Sequence, residues 1–253
     1  QIVMHRKIPN IAHRGASSYA PENTHAAFDM AINMGVKHIE LDVHSSKDGQ
    51  LVVIHDDTLN RTTNGNGKVN DHTLKELKAL DAGSWFDHKY SGEKLCSLEE
   101  ILVEYKSAVH LHIEIKGNTP NLAQKTCDMI RSFNATEKTI MTSFWMPRLV
   151  ETKEYAPEIK TGWLVPLGPG SKWDDSIISD SLNYGFDQIC PRADLVTLSL
   201  VTKLHDKGFE VRCHGVFTEA LMENVVECGA DGMTINFPDK LISYLDKRGL
   251  AID

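Results

Sequence analysis

Along this chain, short runs of aliphatic and β-branched residues alternate with stretches whose apolar positions recur at helical spacing. Side chains repeat every two residues in a strand and every 3.6 in a helix, so the first kind of run predicts a strand and the second a helix. Strands are expected at Asn10–His13, Lys37–Val43, His110–Ile115, Thr139–Ser143, Thr161–Val165, Phe186–Cys190, Phe209–Cys213 and Gly232–Ile235. Ala27, Met30, Ala31 and Met34 fall at i, i+3, i+4 and i+7 behind a Pro21-Glu22 pair suited to a first helical turn. Leu98, Ile101, Leu102 and Tyr105 repeat that spacing. Eight strands, each followed by a helix, predict a (β/α)8 TIM barrel that takes in residues 1–253 as a single domain. An open doubly wound sheet is the alternative.

One run breaks the rhythm. Leu51–Ile54 follows the second strand too closely for a crossover helix, so it must return antiparallel. The connection holds Asp48-Gly49, suited to a two-residue type I′ turn, which would set Val43 opposite Ile54 and Asp42 opposite His55. The polar segment of residues 57–95 is too long for a plain loop and predicts a small insertion over one barrel mouth, with a short helix in Leu74–Leu80. Asn64-Gly65-Asn66-Gly67 lacks the Lys-Ser/Thr of a phosphate-binding loop and reads as a turn.

With 27 Lys+Arg against 35 Asp+Glu, the formal charge of −8 argues against nucleic acid as a partner. No apolar run approaches the roughly 20 residues of a membrane span, so stable membrane insertion is not expected. The five cysteines form no CxxC pair and read as ordinary buried thiols. The chain starts at Gln1, as it would after loss of an export leader, which favours an exported or periplasmic location over a cytoplasmic one; a removed tag explains the start equally well.

Alternation places Glu40 and Asp42 on the face of their strand opposite Ile39, Leu41 and Val43, and His112, Glu114 and Lys116 opposite their own aliphatic neighbours. With the aliphatic residues against the helices, three carboxylates face the barrel interior, where they need a cation or a proton. An all-oxygen set suits Mg²⁺, Ca²⁺ or Mn²⁺ better than zinc. The plainer alternative is that Glu40 and Glu114 pair with Lys116 or Arg14. His13-Arg14-Gly15 ends the first strand, where barrel enzymes keep their catalytic groups. His13 and His55 could exchange protons while Arg14 offers a fork to a phosphate or carboxylate. A divalent cation, Arg14, Lys116 and two imidazoles together point to phosphate-ester hydrolysis.

The motifs Ala12-His13-Arg14-Gly15, Pro21-Glu22-Asn23-Thr24, Ile39-Glu40-Leu41-Asp42-Val43, Lys47-Asp48-Gly49, Val53-Ile54-His55-Asp56-Asp57 and Glu114-Ile115-Lys116 resemble, in order and spacing, those of the glycerophosphodiester phosphodiesterase family. The resemblance implies a barrel with an insertion after the second strand's hairpin and one divalent cation, Mg²⁺ or Ca²⁺ with Mn²⁺ as an option, on Glu40, Asp42 and Glu114. It implies His13 and His55 as the acid and base pair, Arg14 and Lys116 on the phosphate, and Glu22 and Asn23 in support. The expected substrates are small glycerophosphodiesters such as glycerophosphocholine or glycerophosphoethanolamine, cleaved to glycerol 3-phosphate and an alcohol through a cyclic phosphate. Lysophospholipids or phosphoinositol diesters are alternative substrates; a metal-dependent sugar isomerase and a noncatalytic binding barrel are the remaining alternatives. Two stretches depart from the family pattern. Val211-Arg212-Cys213-His214-Gly215 stands where a Trp-containing strand is common, with Arg212 and His214 expected at the surface and a further anion contact as their alternative role, and Asn236 stands where Asp is commoner.

Overall fold

The structure, a computed structural model, describes residues 7–252; residues 1–6, part of the start read for an export leader, lie outside the described residues. Its strands are β1 (Lys7–Ile8), β2 (Asn10–His13), β3 (His38–Ser45), β4 (Leu51–Val53), β5 (Cys96–Ser97), β6 (His110–Ile115), β7 (Thr139–Ser143), β8 (Lys160–Val165), β9 (Gln188–Pro191), β10 (Glu210–Val216), β11 (Gly232–Ile235) and β12 (Ala251–Ile252). Strands β2, β3 and β6 to β11 pair in parallel in that order, and β11 closes on β2 through Thr234 opposite Ile11. With helices between the strands this is a (β/α)8 barrel, and each of the eight expected strands is present with ends moved by at most about three residues.

The outward side chains explain why the strands turn the faces they do. Ile39, Leu41, Val43, Ile113 and Ile115 join Phe28, Ala31, Ile101, Leu102 and Tyr105 of the surrounding helices in one buried cluster. Each aliphatic side chain buried this way contributes about 1.5–3 kcal/mol, a strong force on strand register, because a slip of one residue would turn the whole set inward. The alternate positions of the same strands, Glu40, Asp42 and Glu114, are thereby held in the interior.

Strand β3 divides its edge between two partners. Its first half pairs with β2, with His13 opposite Glu40, and its last residues pair antiparallel with β4. The hairpin was expected to close with a two-residue turn. Instead Ser46 N–H donates to the Gln50 carbonyl, and Lys47-Asp48-Gly49 form a three-residue loop with Gly49 at φ +74°. This shifts the register by one, so that Val43 lies opposite Val53 and Asp42 bonds to Ile54 instead of standing opposite His55. Three-residue hairpins place glycine in the left-handed region at their third position, a role Gly49 fills as readily as the predicted turn.

Helix α1 (His25–Asn33) begins later than expected. Thr24 is its N-cap, its hydroxyl accepting from Ala27 N–H, and Pro21-Glu22-Asn23 stay outside the helix with Asn23 at φ +57°. The insertion carries the short helix α2 (Leu74–Lys78), closed by a capping box between Thr73 and Glu76. It packs on its own small cluster of Val52, Ile54, Leu59, Val69, Leu77, Ala82 and Leu95. It ends in β5, which adds antiparallel to β4 and leads through the Ser97 N-cap into helix α3 (Leu98–Tyr105).

Gly15 sits at φ +85°, and a Cβ there would lie 2.6 Å from the backbone carbon of Ala27. Gly15→Ala is therefore expected to destabilise the fold by at least the ~1–3 kcal/mol of backbone strain, read as a lower midpoint in urea unfolding; an unchanged midpoint would contradict the packing described.

Candidate active site

His13 ends β2 and Arg14 follows it at φ +59°, a strained position for a side chain of its size. Its backbone accounts for the strain. Arg14 N–H donates to the Glu40 carbonyl at 3.0 Å and lies 3.1 Å from the Glu40 carboxylate, while the Arg14 carbonyl accepts from Asn23 N–H at 2.9 Å. This folds the guanidinium back over the acids: Nη1 donates to Glu22 Oε1 at 3.0 Å, and Nε stands 3.5 Å from Asp42 Oδ2. Asn23 donates its amide to the same Asp42 oxygen at 3.0 Å.

Glu40, Asp42 and Glu114 meet inside the barrel. Each offers a carboxylate oxygen, and the three atoms lie within 4.8 Å of one another on buried side chains. Lys116 pairs with Glu114 at 2.8 Å. The expected cluster and its plainer alternative thus coexist: Glu114 has an ammonium partner, and Asp42 Oδ1 is buried with no hydrogen bond. Burial and the charges of Asp42 and Glu114 push the Glu40 carboxyl well above its ordinary value. Burial likewise lifts Glu114, and Lys116 offsets only part of that. Asp42 goes the other way: burial would raise it, but Arg14, His55, Lys116 and the Asn23 hydrogen bond bring it below the usual value. Crowded buried oxygens of this kind, one of them unpartnered, fit a hard divalent cation, whose entry would displace protons from the raised carboxyls.

The two histidines stand on either side of this cluster with their Nδ1 atoms engaged. His13 Nδ1 donates to Asn236 Oδ1 at 2.6 Å, which leaves Nε2 as the lone-pair nitrogen, 3.8 Å from Glu40. Burial first, and Arg14 second, lower the His13 ring to about 3, so it is neutral in ordinary solution. His55 lies just past β4, where the hairpin returns to the mouth, and its Nδ1 donates to Asp56 at 2.8 Å. Asp56 is gripped by Arg61, which also reaches Glu22 through Nη1 and Nη2. The Arg61 bonds hold Asp56 ionised, well below the usual carboxylate range. His44 Nε2 donates to the His55 carbonyl at 2.8 Å and steadies the turn.

Every residue expected in the site is brought to this end of the barrel. Glu22 proves to lie in the loop ahead of the helix, where its neighbours are Arg14 and Arg61 and not a helix terminus. Arg61 and Phe144 carried no signal in the chain. Asp56, a member of the Val53–Asp57 motif, holds His55, and Asn236, a departure from the family pattern, is the partner of His13. The expectation that Arg212 and His214 lie at the surface is overturned. Arg212 is 2% exposed within the barrel. His214 is partly buried, donates to the Val165 carbonyl at 3.0 Å, and packs edge-on against Phe144. Both lie at inward positions of β10, where alternation with the outward Val211 and Cys213 puts them.

Two openings share His55, Glu114 and Phe144 as walls. One, of about 550 Å³, is bounded by Lys116, Trp145 and Leu167; the other, of about 150 Å³, by His13, Arg14, Glu40 and Phe217. Trp145, Leu167 and Phe217 remain mostly exposed at this rim. Among the described residues, no helix is long and apolar enough to cross a membrane.

Residues 13–240 match the glycerophosphoryl diester phosphodiesterase family. A glycerophosphodiester phosphodiesterase of Caldanaerobacter subterraneus is 38% identical over 246 residues, which covers 94% of this chain and 98% of that protein. One from Bacillus subtilis is 32% identical over 249 residues, covering 92% and 85%. Among solved structures, an Oleispira antarctica phosphodiesterase in complex with the product sn-glycerol-3-phosphate superposes with a TM-score of 0.85 at 29% identity, over 93% of this chain and 96% of that one. A glycerophosphodiester phosphodiesterase from Agrobacterium tumefaciens gives 0.80 at 28% identity, over 94% and 99%.

A pH dependence follows from the lowered rings. Burial brings His214 down to about 4, against 6.5 when unfolded. Between those values the unfolded chain binds the extra proton, so stability is complete above about pH 6.5 and falls as the solution is acidified toward pH 4. His214→Gln should flatten the loss of urea stability across that window by up to about one proton per molecule; an unchanged slope would contradict the burial of this ring.

Proposed function

The chain belongs to the glycerophosphoryl diester phosphodiesterase family, and on that premise we propose that it cleaves small glycerophosphodiesters to glycerol 3-phosphate and an alcohol at the site of Glu40, Asp42, Glu114, His13 and His55. Family membership makes the protein a phosphoric diester hydrolase and sets aside the sugar-isomerase and binding-barrel readings. The observation that carries the assignment of the site is the pair of histidines flanking three converging carboxylates, with Arg14 and Lys116 beside them.

Glu40, Asp42 and Glu114 would hold one divalent cation, with Mg²⁺, Ca²⁺ or Mn²⁺ suited to the oxygen donors. When bound, the cation supplies charge stabilisation to the phosphoryl oxygens. The remaining work falls to the chain. Arg14 is braced by Glu22, and Lys116 reaches the same space from β6; together they orient the phosphate. His13 is neutral, so it can only begin as an acceptor. Its Nε2 takes the proton of the glycerol hydroxyl next to the phosphate, and that oxygen bonds to phosphorus. The bond from phosphorus to the alcohol oxygen breaks, and His55, its ring oriented by the Nδ1–H bond to Asp56, protonates the departing oxygen. Water then opens the cyclic phosphate, giving its proton to His55 while His13 returns its own.

A second substrate reading, diesters that retain an acyl chain, draws support from the exposed Trp145, Leu167 and Phe217 at the rim. One assay addresses both readings: glycerol 3-phosphate release from glycerophosphoethanolamine and glycerophosphocholine, alongside hydrolysis of lysophosphatidylcholine. The proposal expects turnover of the soluble diesters and a loss of about 10²–10⁴-fold in His13→Ala and in His55→Ala, the range for removal of an acid or base group. Hydrolysis at the normal rate in both variants would remove the histidines from the mechanism, and a marked preference for the lysolipid would replace the first substrate class with the second.

A further inference from the structure

Outside the barrel, where the start of α1, β5 and the first half of α3 meet, three unlike donors face one another. His25, Cys96 and Glu100 each present one atom, and these atoms all lie within 4.8 Å of one another. Cys96 is fully buried, and His25 Nε2 stands 3.7 Å from a Glu100 oxygen. The other side of the imidazole is already engaged. His25 Nδ1 lies 2.9 Å from the Tyr105 hydroxyl and 2.8 Å from the Glu104 carboxylate. Tyr105 gives its own hydroxyl hydrogen to Asp29 at 2.7 Å, so its oxygen accepts from His25. Two acceptors at Nδ1 place a hydrogen there, and Nε2, which faces Glu100, is the nitrogen left for an ion. A ring N–H held by a carboxylate, with the opposite nitrogen aimed at further donors, is how proteins orient a metal-binding histidine.

We propose that His25, Cys96 and Glu100 form a second metal site, for a zinc-class cation, with Glu104 and Tyr105 as positioning residues that hold the His25 ring. The donor chemistry separates it from the acid cluster in the barrel: nitrogen and sulfur favour zinc, whereas three carboxylates favour a harder ion. The dimensions are close to what is needed. Zinc bonds of about 2.0–2.3 Å arranged tetrahedrally put neighbouring donors roughly 3.3–3.7 Å apart, the separation His25 and Glu100 already have. Glu104 is turned to the far side of the ring, which leaves a fourth position to water, the usual complement of three protein ligands. On binding, the sulfur–metal bond forms as the Cys96 thiol gives its proton to solvent, with no change of oxidation state. Lys78 now grips Glu100 through Oε1 at 2.6 Å and through Oε2, the oxygen facing His25, at 2.7 Å; on binding it would yield Oε2 to the ion and keep Oε1 and the Leu95 carbonyl as acceptors. Such an ion would tie the start of α1, two residues beyond Asn23, to the strand that ends the insertion. The chain has no CxxC pair, so this arrangement exists only through the fold.

The test uses the full-length protein, stripped by chelation and titrated with Cd²⁺, whose bond to thiolate gives an ultraviolet charge-transfer band. The expected result is a band saturating at one equivalent per chain, absent in Cys96→Ser and in His25→Ala and retained in Glu114→Gln and Cys127→Ser. Glu104→Gln should weaken binding about 10–100-fold, as loss of a partner to a ligating histidine does. Absence of the band in the unsubstituted protein overturns the site by itself, without reliance on any variant that fails to fold. A band that survives folded Cys96→Ser and His25→Ala overturns it as well.

Discussion

Three carboxylates share one buried space inside the barrel, and the surrounding architecture answers to that repulsion. Glu40 and Asp42 are neighbours on one face of β3, and Glu114 is directly opposite Asp42 on β6. In a low dielectric such a trio cannot all ionise without cations close by. The fold supplies Arg14 and Lys116, and the carboxyls still divide the strain unequally: Asp42 is held ionised, while Glu40 and Glu114 are pushed toward their protonated forms. The aliphatic residues between the acids make the arrangement affordable, because they lock both strands against the helices and leave the acids no outward route.

The groups around the acids orient two imidazoles. His13 and His55 both spend Nδ1 on a neighbour and leave Nε2 available. Their partners differ in charge. A neutral amide holds His13, which stays uncharged beside Arg14, whereas a carboxylate clamped by Arg61 holds His55. Two rings of the same residue type thereby face the same cluster with partners of different charge, the difference on which the proposed division into acceptor and donor rests.

Much of this was legible in the chain because it is local. The period of two in residues 39–43 and 111–115 displays the inward acids, and the close spacing of the second strand and its return run implies the hairpin that carries His55. Where local reasoning failed, the deciding contacts were either subtle or distant. A two-residue and a three-residue turn both use Gly49, and only the Ser46–Gln50 hydrogen bond tells them apart. Thr24 was the better helix cap, and its use moved Glu22 out of the helix and into reach of Arg61. The bond from Asn236 to His13 crosses 223 positions of sequence, and nothing near either residue announces it. Arg212 and His214 were misplaced because their polarity outweighed their position: alternation with Val211 and Cys213 already pointed them inward.

The central claim is that Glu40, Asp42 and Glu114 together hold one hard divalent cation. The most direct measurement is the binding of Mn²⁺ to the stripped protein, followed by electron paramagnetic resonance as the free-ion signal disappears, in the unsubstituted chain and in Glu40→Gln, Asp42→Asn and Glu114→Gln. The account predicts one tightly bound Mn²⁺ per chain, displaced by Mg²⁺ or Ca²⁺ and weakened in each of the three variants, all of them still folded. Tight binding that persists unchanged in the three variants, or its absence from the unsubstituted protein, would contradict it.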